Sequence, residues 1–152
     1  MNHTVWKNVG GVLAGVLAAG TLTVAALGDP SSVVNGTAFV LVDGDTLALG
    51  HERIRLEGPD TPESYKPRCD AELVVALQAK QKLRELLGDN EIVIERHGVD
   101  KYGRTLARLY VGDSDTEIGE QLIASGLAVR WQPGRAAWLE RARHWCPGYT
   151  ED

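Results

Sequence analysis

Pairs of cysteines and histidines at the spacing that zinc sites use are absent from this chain. It has two cysteines and four histidines, and neither cysteine has a second cysteine or a histidine at ligand spacing, since His144 stands only two residues before Cys146. Zinc sites typically take their ligands from such spaced pairs. The sequence therefore argues against a zinc-stabilised fold and against a histidine-ligated metal site.

An excess of positive charge is also missing. The 16 lysines and arginines are outnumbered by 21 aspartates and glutamates, which gives a formal net charge of −5. Proteins that bind nucleic acid through bulk electrostatics are usually basic. If this chain handles a polyanion, it must do so through a local basic cluster and a metal, with weak non-specific retention.

The chain is too short for two comfortable domains. Its 152 residues, of which 43% are hydrophobic, are enough for one compact domain. The sequence contains no internal repeat and no low-complexity segment. We expect one folded domain over residues 37–146, a linker over 29–36 before it and a C-terminal tail over 147–152.

The N-terminal stretch carries no charge from Asn8 to Gly28. An apolar run of this length is either the core of a signal peptide or a membrane anchor. Small residues at Ala26 and Gly28 favour cleavage before Asp29. We assign residues 1–28 to an export element and predict a protein that is secreted or anchored at the outer face of the cytoplasmic membrane. Membrane contact is expected only if this segment is retained.

Export would favour oxidation of the two cysteines, Cys69 and Cys146. In an oxidising compartment, two cysteines near the beginning and the end of the folded region indicate one disulfide that closes a long loop. In the loop-entropy model such a bridge stabilises the fold by about 4 kcal/mol. Two unrelated thiols are the alternative.

Short runs with apolar residues at alternate positions predict β-strands. In one of them Ile54 and Leu56 flank Arg55, so that burial of the apolar face would turn the arginine outward. Two further strands are predicted over residues 91–96 and 105–111.

Helices are predicted at three places, and the longest runs from Asp70 to Leu87, with Asp70 as its N-cap and Gly88 as its end. Shorter helices are predicted over residues 116–125 and 136–144. Periodicity alone indicates an α+β fold with a mostly antiparallel sheet. The apolar residues of the long helix fall within one half of the helical wheel: Leu73, Ala76, Leu77, Leu83, Leu86 and Leu87.

Carboxylates and arginines are combined in a few short segments. Hydrolysis of a phosphodiester needs an activated water, charge stabilisation at phosphorus and often a metal. Aspartates are hard oxygen donors that suit Ca²⁺ or Mg²⁺, and a guanidinium grips two phosphate oxygens at once. Taken singly, Asp-Gly-Asp is most often a tight turn, Asp60 is equally well a turn-forming residue, and the segment from Asp100 to Arg104 can also be a hairpin turn. The segments are Asp43-Gly44-Asp45-Thr46, the run from Arg55 to Glu63 that includes Asp60-Thr61-Pro62, and Asp100-Lys101-Tyr102-Gly103-Arg104.

The order and spacing of these segments resemble the staphylococcal nuclease family over roughly residues 37–131. The resemblance implies a mainly β, five-stranded OB-fold Greek-key barrel with about three helices. It also implies a calcium-dependent endonuclease that cleaves DNA and RNA with little sequence specificity and leaves 3′-phosphates. The substrate would be single-stranded or frayed duplex nucleic acid, and the enzyme a monomer.

The resemblance also assigns roles to the carboxylate segment. Asp45, Asp60 and the carbonyl of Thr61 would be the calcium ligands. Glu63 matches the glutamate that is assigned as general base in the family. Its position three residues after Asp60 is close enough to reach a metal-bound water.

The basic and aromatic residues receive roles from the same resemblance. Arg55 and Arg104 would stabilise the transition state, Lys101 would contact phosphate, and Tyr102 would form a wall of the nucleotide pocket. Trp131 lies where the family has an aromatic near the bound base, and here a packed core tryptophan is the equal alternative.

Two other functions compete with catalysis. Some domains of the family have lost catalytic residues and only bind nucleic acid, so a non-catalytic OB-fold binding module is the alternative. The other is an anchored structural protein, which would not account for the charged residues assigned to the site. A degenerate copy should lack one or more members of that set, yet all are present: Asp45, Arg55, Asp60, Glu63 and Arg104.

Overall fold

The protein is described here by a computed structural model that covers residues 31–151. The predicted export element, residues 1–28, lies outside these described residues. Within them, no helix is both long and apolar enough to cross a membrane. The elements in chain order are β1 (Ser31–Asn35), a 3-10 turn (Gly36–Ala38), β2 (Phe39–Leu41), β3 (Thr46–Leu49), β4 (Glu52–Leu56), β5 (Pro59–Asp60), α1 (Asp70–Leu87), β6 (Glu91–Val99), β7 (Thr105–Val111), α2 (Ile118–Ala124), β8 (Val129–Arg130) and α3 (Arg135–Trp145).

Six strands form one curled sheet, a half-barrel, in the order β1-β6-β7-β4-β3-β2. Neighbouring strands are antiparallel except β4 and β7, which run parallel. Strands β5 and β8 pair separately as a two-stranded antiparallel sheet. With its three described helices, the molecule has the α+β class that the sequence predicts.

The main sheet has six strands within residues 31–151, whereas the family resemblance implied five. The extra strand is β1, which lies in the segment predicted as a linker and pairs in register with β6 from Ser31↔Glu95 to Asn35↔Glu91. It is an edge strand of five residues, and only alternate positions of it are partly buried. Such a short, weakly apolar run carries little pattern for sequence analysis to detect.

The hydrophobic core lies between the inner face of the sheet and the helices α1 and α2. Helix α1 contributes Ala76, Leu83 and Leu87, all of which are buried. Its predicted apolar stripe is only partly correct, because Leu77 is 54% exposed. The remaining large buried side chains of the core are Phe39, Leu47, Ile54, Leu56, Ile92, Ile94, Leu109, Ile118 and Leu122.

Helix α1 begins and ends at the residues that the sequence predicts, but its cap differs. The N-cap is Cys69 rather than Asp70, and its sulfur accepts the N–H of Glu72 at 3.5 Å. Asp70 is the first helical residue, where its charge favours the positive end of the helix dipole. Gly88 ends the helix with a φ of 43°, a conformation that favours glycine.

The disulfide between Cys69 and Cys146 joins the start of α1 to the end of α3. The two residues are separated by 77 positions, so the bridge closes most of the described chain into one loop. It fixes α3 beside the loop that leads from β5 into α1. The position of α3 is therefore covalently tied to the start of α1.

Reduction of this disulfide should lower the melting temperature by about 10 °C or more. For a closed loop of this length the chain-entropy model gives about 4 kcal/mol, and about 1 kcal/mol shifts a domain of this size by several degrees. Differential scanning calorimetry with and without reductant measures the change. The matched control is the Cys69→Ala/Cys146→Ala protein. Its melting temperature should equal that of the reduced wild type and should not change with reductant. Two titratable thiols in the denatured, unreduced wild type would contradict the bridge.

Candidate active site

A polar cavity of about 200 Å³ lies where the β2–β3 turn, strand β4, the β5–α1 loop and helix α3 meet. Every carboxylate and arginine that the sequence assigned to metal binding or catalysis lines this cavity, and so does Thr61. The structure thus brings together residues from distant parts of the chain. Its charged lining consists of Asp43, Asp45, Asp60, Glu63 and Glu72 with Arg55, Arg68, Arg104 and Arg141.

The β2–β3 turn brings Asp45 to the cavity. The N–H groups of Val42 and Asp43 both donate to the carbonyl of Thr46 at 2.9 Å, which closes the turn. A Cβ on Gly44 would lie 2.9 Å from both the Ala79 side chain and the Thr61 hydroxyl oxygen, so a larger residue would clash. Glycine therefore lets the turn approach α1 closely.

Asp45 is 3% exposed, and protein donors surround its carboxylate. One oxygen, Oδ2, accepts the N–H of Thr61 at 2.9 Å, and the other, Oδ1, accepts the Thr46 hydroxyl at 3.0 Å and forms an ion pair with Arg55. The charge is thus held at a fixed place. Burial raises the pKa of the neighbouring Asp43 carboxyl, and the charges of Asp45 and Glu63 raise it further.

Arg55 does not point into solvent as the strand pattern predicted. Ile54 and Leu56 turn into the core as expected, but the arginine side chain is only 14% exposed because the β5–α1 loop and α3 cover that face. It pairs with Asp45 and, at 2.9 Å, with Asp60. Burial alone would lower the pKa of Arg55, but these two carboxylates leave it above its ordinary value.

Asp60 is bound by two arginines, one on each carboxylate oxygen. Its Oδ1 accepts from Arg55 at 2.9 Å, and its Oδ2 forms an ion pair with Arg141, in which it lies 2.6 Å from Nε. Burial raises the pKa of Asp60, as does the nearby charge of Asp45, and the two arginines only partly offset the increase. Asp60 therefore sits where a further positive charge would be stabilised.

Two buried side-chain polar atoms have no hydrogen-bond partner among the described residues, and both belong to residues that line this cavity. They are Thr61 Oγ1 and Trp145 Nε1. Buried polar groups are nearly always paired, so these two indicate a polar occupant of the cavity. The oxygen donors Asp45, Asp60 and Thr61 suit a hard cation such as Ca²⁺. Within residues 31–151 no three Asp, Glu, His or Cys side chains form a ready metal cluster, so a cation here would need water or substrate oxygens as well.

Glu63 lies at the edge of the cavity, and its loop is organised by a buried glutamate. Glu63 itself is exposed and accepts the N–H of Tyr65 at 3.0 Å. Glu72 is fully buried in the first turn of α1, where it accepts the N–H of Arg68 at 2.6 Å and that of Glu63 at 3.4 Å. The Arg68 guanidinium also pairs with Glu72. Glu72 thus neutralises Arg68 and holds both ends of the short loop.

The β6–β7 hairpin supplies Arg104 to the lining of the cavity. Asp100 accepts the N–H groups of Tyr102 and Arg104 at 2.8 and 3.0 Å and pairs with the Arg104 guanidinium at 2.7 Å. Tyr102 is 72% exposed, with the guanidinium 5.4 Å and Lys101 Nζ 5.0 Å from its ring centre. The predicted substrate-binding pair therefore lies beside Arg104.

A second, less polar cavity of about 730 Å³ adjoins the first. Lys101, Tyr102 and Trp131 line it, and Trp131 is 49% exposed. Trp131 is therefore not a packed core tryptophan, whereas its predicted place near a bound base stays a prediction. The residues that line both cavities are Arg55, Arg104, Trp138 and Arg141.

Sequence analysis missed the contributions of α3 and of Glu72. Trp138, Arg141 and Trp145 are three and four residues apart, a spacing that places them on one face of a helix. That pattern was available in the sequence, although nothing local indicated which partner the face would meet. Glu72 carried no signal, because a glutamate in the first turn of a helix is usually solvent-exposed.

Sequence similarity to known proteins covers most of the residues of this cavity. The family model described as "Staphylococcal nuclease homologue" matches residues 53–142, which contain Arg55, Asp60, Glu63 and Arg104 and leave out Asp45. The chain belongs to the staphylococcal nuclease family. The curled sheet with three described helices is consistent with the OB-like fold of that family.

Three similar proteins give the scale of the similarity. The thermonuclease of Staphylococcus intermedius is 34% identical over 107 residues, 64% of this chain and 62% of that protein. The thermonuclease of Staphylococcus hyicus is 30% identical over 94 residues, 58% of this chain and 54% of its own length. A succinoglycan biosynthesis protein of Rhizobium meliloti is 31% identical over 98 residues, 59% and 48% of the two chains. The chain thus spans between about half and two thirds of the length of these three proteins.

Glu72→Ala should lower the free energy of unfolding by about 2 kcal/mol or more, because it removes the partner of Arg68 and leaves buried N–H groups unpaired. Hydrogen exchange of the Arg68 amide should speed up in parallel. The matched control is Glu85→Ala, which changes an exposed glutamate of the same helix and should cost a few tenths of a kcal/mol. Equal effects of the two changes would contradict the role of Glu72 in holding the loop.

Proposed function

We propose that this protein is a calcium-dependent nuclease that hydrolyses phosphodiester bonds in DNA and RNA with little sequence preference. The observation that carries the proposal is the buried cluster in which Arg55 lies between Asp45 and Asp60, beside Arg104 and Glu63. Carboxylates for a cation and arginines for a phosphate share one small cavity. Two thermonucleases among the family members support the same activity.

The site fits a calcium ion held by Asp45, Asp60 and Thr61, the last through its carbonyl as the family resemblance implies. The donors are all oxygens, and Thr61 Oγ1 is an unpaired buried oxygen in the same place. A bound Ca²⁺ would lower the pKa of a coordinated water and offset the charge of the phosphate. The two carboxylates already stand at a fixed separation, because Arg55 bonds to both.

The remaining roles belong to side chains at the cavity mouth. Arg55 and Arg104 would bind the phosphate oxygens, since guanidinium forks stabilise the charge that grows there in the transition state. Glu63 would accept the proton of the attacking water, because its carboxylate is exposed at the edge of the same cavity. We propose the family's product, a 3′-phosphate, on resemblance alone.

The second cavity suits one unpaired base, which is why we propose single-stranded or frayed nucleic acid as the substrate. Tyr102 and Trp131 are exposed aromatic walls, and stacking on such rings is tolerant of sequence. Lys101 lies beside Tyr102 and would contact a neighbouring phosphate. With a net charge of −5, attraction to nucleic acid depends on this local cluster and not on the whole surface.

We propose that the protein is exported and acts as a monomer. The uncharged N-terminal run supports secretion or attachment at the outer face of the membrane. The Cys69–Cys146 disulfide supports an oxidising compartment, where such bridges persist. Both features are independent of the proposed catalytic site.

Incubation of the full chain with single-stranded DNA tests this function. We expect cleavage in millimolar Ca²⁺ and none in excess chelator, because the carboxylates alone cannot supply the positive charge that the phosphate needs. Cleavage that persists in chelator would contradict the calcium site. Binding of DNA without any cleavage in Ca²⁺ would instead establish the binding module as the function.

Variants of strand β4 locate the activity in the cavity. Arg55→Gln should reduce the rate of cleavage about 100-fold or more, as expected for loss of one donor to the transition state. Arg53→Gln makes the same change at an exposed position of the same strand and should keep the wild-type rate. Circular dichroism melting separates a folding defect from a catalytic one. Similar rates for the two variants would place the phosphate elsewhere.

A further inference from the structure

Helix α3 forms one wall of the small cavity through three side chains on a single face, Trp138, Arg141 and Trp145. Trp138 and Arg141 also line the larger cavity, so this face lies where the two cavities join. Arg55 and Arg104 are at the same junction. A strand of nucleic acid with its base in the larger cavity would place a backbone phosphate at this junction.

Arg141 is held at the junction by an ion pair and a hydrogen bond. Its Nε lies 2.6 Å from Asp60 Oδ2 in the ion pair, and its Nη1 donates to the carbonyl oxygen of Gln132 at 2.9 Å. The side chain is only 14% exposed. A guanidinium has five N–H donors in a planar fork, so donors remain beyond these two contacts. The Arg141 side chain is therefore ordered before substrate binds, so that binding costs little further side-chain entropy.

The balance of charge also favours an anion beside Arg141. The lining of the small cavity has five carboxylates and four arginines, which gives a formal net charge of −1. The divalent cation of the proposed function would change this net charge to +1, which a phosphate would offset. The buried, unpaired Nε1 of Trp145 is a further hydrogen-bond donor on the same helix face.

We propose that Arg141 is a third phosphate-binding arginine, supplied by α3, which contacts the backbone of the bound nucleic acid where the two cavities meet. The proposal rests on the nuclease function and adds a residue to its substrate site. Arg141 bonds to Asp60 in the structure, and a substrate phosphate takes up its remaining donors. Helix α3 thereby becomes part of substrate recognition in addition to the fold.

Binding of a nuclease-resistant phosphorothioate oligothymidine in Ca²⁺ tests this role. Tryptophan fluorescence is the readout, since Trp131 and Trp138 line the larger cavity. For Arg141→Gln we expect about 10-fold weaker binding, and a slope of log affinity against log salt that is smaller by about 0.7. Arg141→Lys keeps the charge and should restore the slope.

The matched control is Arg143→Gln, which removes the same charge from an exposed position on the same helix. It should leave both the affinity and the salt slope unchanged. A calcium titration without oligonucleotide completes the set, and Arg141→Gln should bind the cation at least as tightly as the wild type, since a positive neighbour of Asp60 has been removed.

Three results would overturn the proposal. If Arg141→Gln binds the oligonucleotide with wild-type affinity and slope, Arg141 does not touch the phosphate. If calcium binding and oligonucleotide binding weaken together with an unchanged slope, Arg141 acts only by positioning Asp60. If the wild type itself does not bind the oligonucleotide, the nuclease function fails along with this inference, whereas the first two results leave that function standing.

Discussion

The ion pairs that Arg55 makes with Asp45 and Asp60 are the interaction on which the site depends. A charged side chain with so little exposure is costly unless it is paired, and here both partners are also poorly exposed. The pairing ties β4 to the β2–β3 turn and to β5, three segments that are separate in the chain. Arg141 extends it to α3 through the second oxygen of Asp60. Loss of Arg55 would leave the carboxylates of Asp45 and Asp60 close together without the arginine that pairs with both.

Two further interactions, one of Glu72 and one of the disulfide, hold the loop that carries Glu63. Glu72 binds backbone N–H groups at both ends of the loop, and the disulfide fixes Cys69 at the start of α1. The same disulfide fixes the end of α3, which carries Arg141 and Trp145. The disulfide therefore fixes α3, which carries Arg141, next to the loop that carries Glu63. Neither sulfur takes part in the proposed chemistry.

Sequence patterns predicted the elements whose signals are local. Helix α1 was predicted with its observed bounds because Gly88 and a long apolar stripe mark it, and β7 was predicted from its alternation. The features that depend on distant contacts were not predictable in this way. The sequence pattern predicts a solvent-facing Arg55 because it does not show that α3 covers β4. It predicts a linker at β1 because it does not show the pairing with β6. Family resemblance supplied the group of site residues, which no single motif specifies.

Calcium titration by isothermal calorimetry tests the central claim most directly, namely that Asp45 and Asp60 form an oxygen site for a cation. The account predicts one bound Ca²⁺ for the wild-type chain and greatly weakened binding for Asp45→Asn and Asp60→Asn. Asp89→Asn, which makes the same change on the exposed surface, should bind like the wild type. Unchanged calcium binding in both Asp45→Asn and Asp60→Asn would contradict the account.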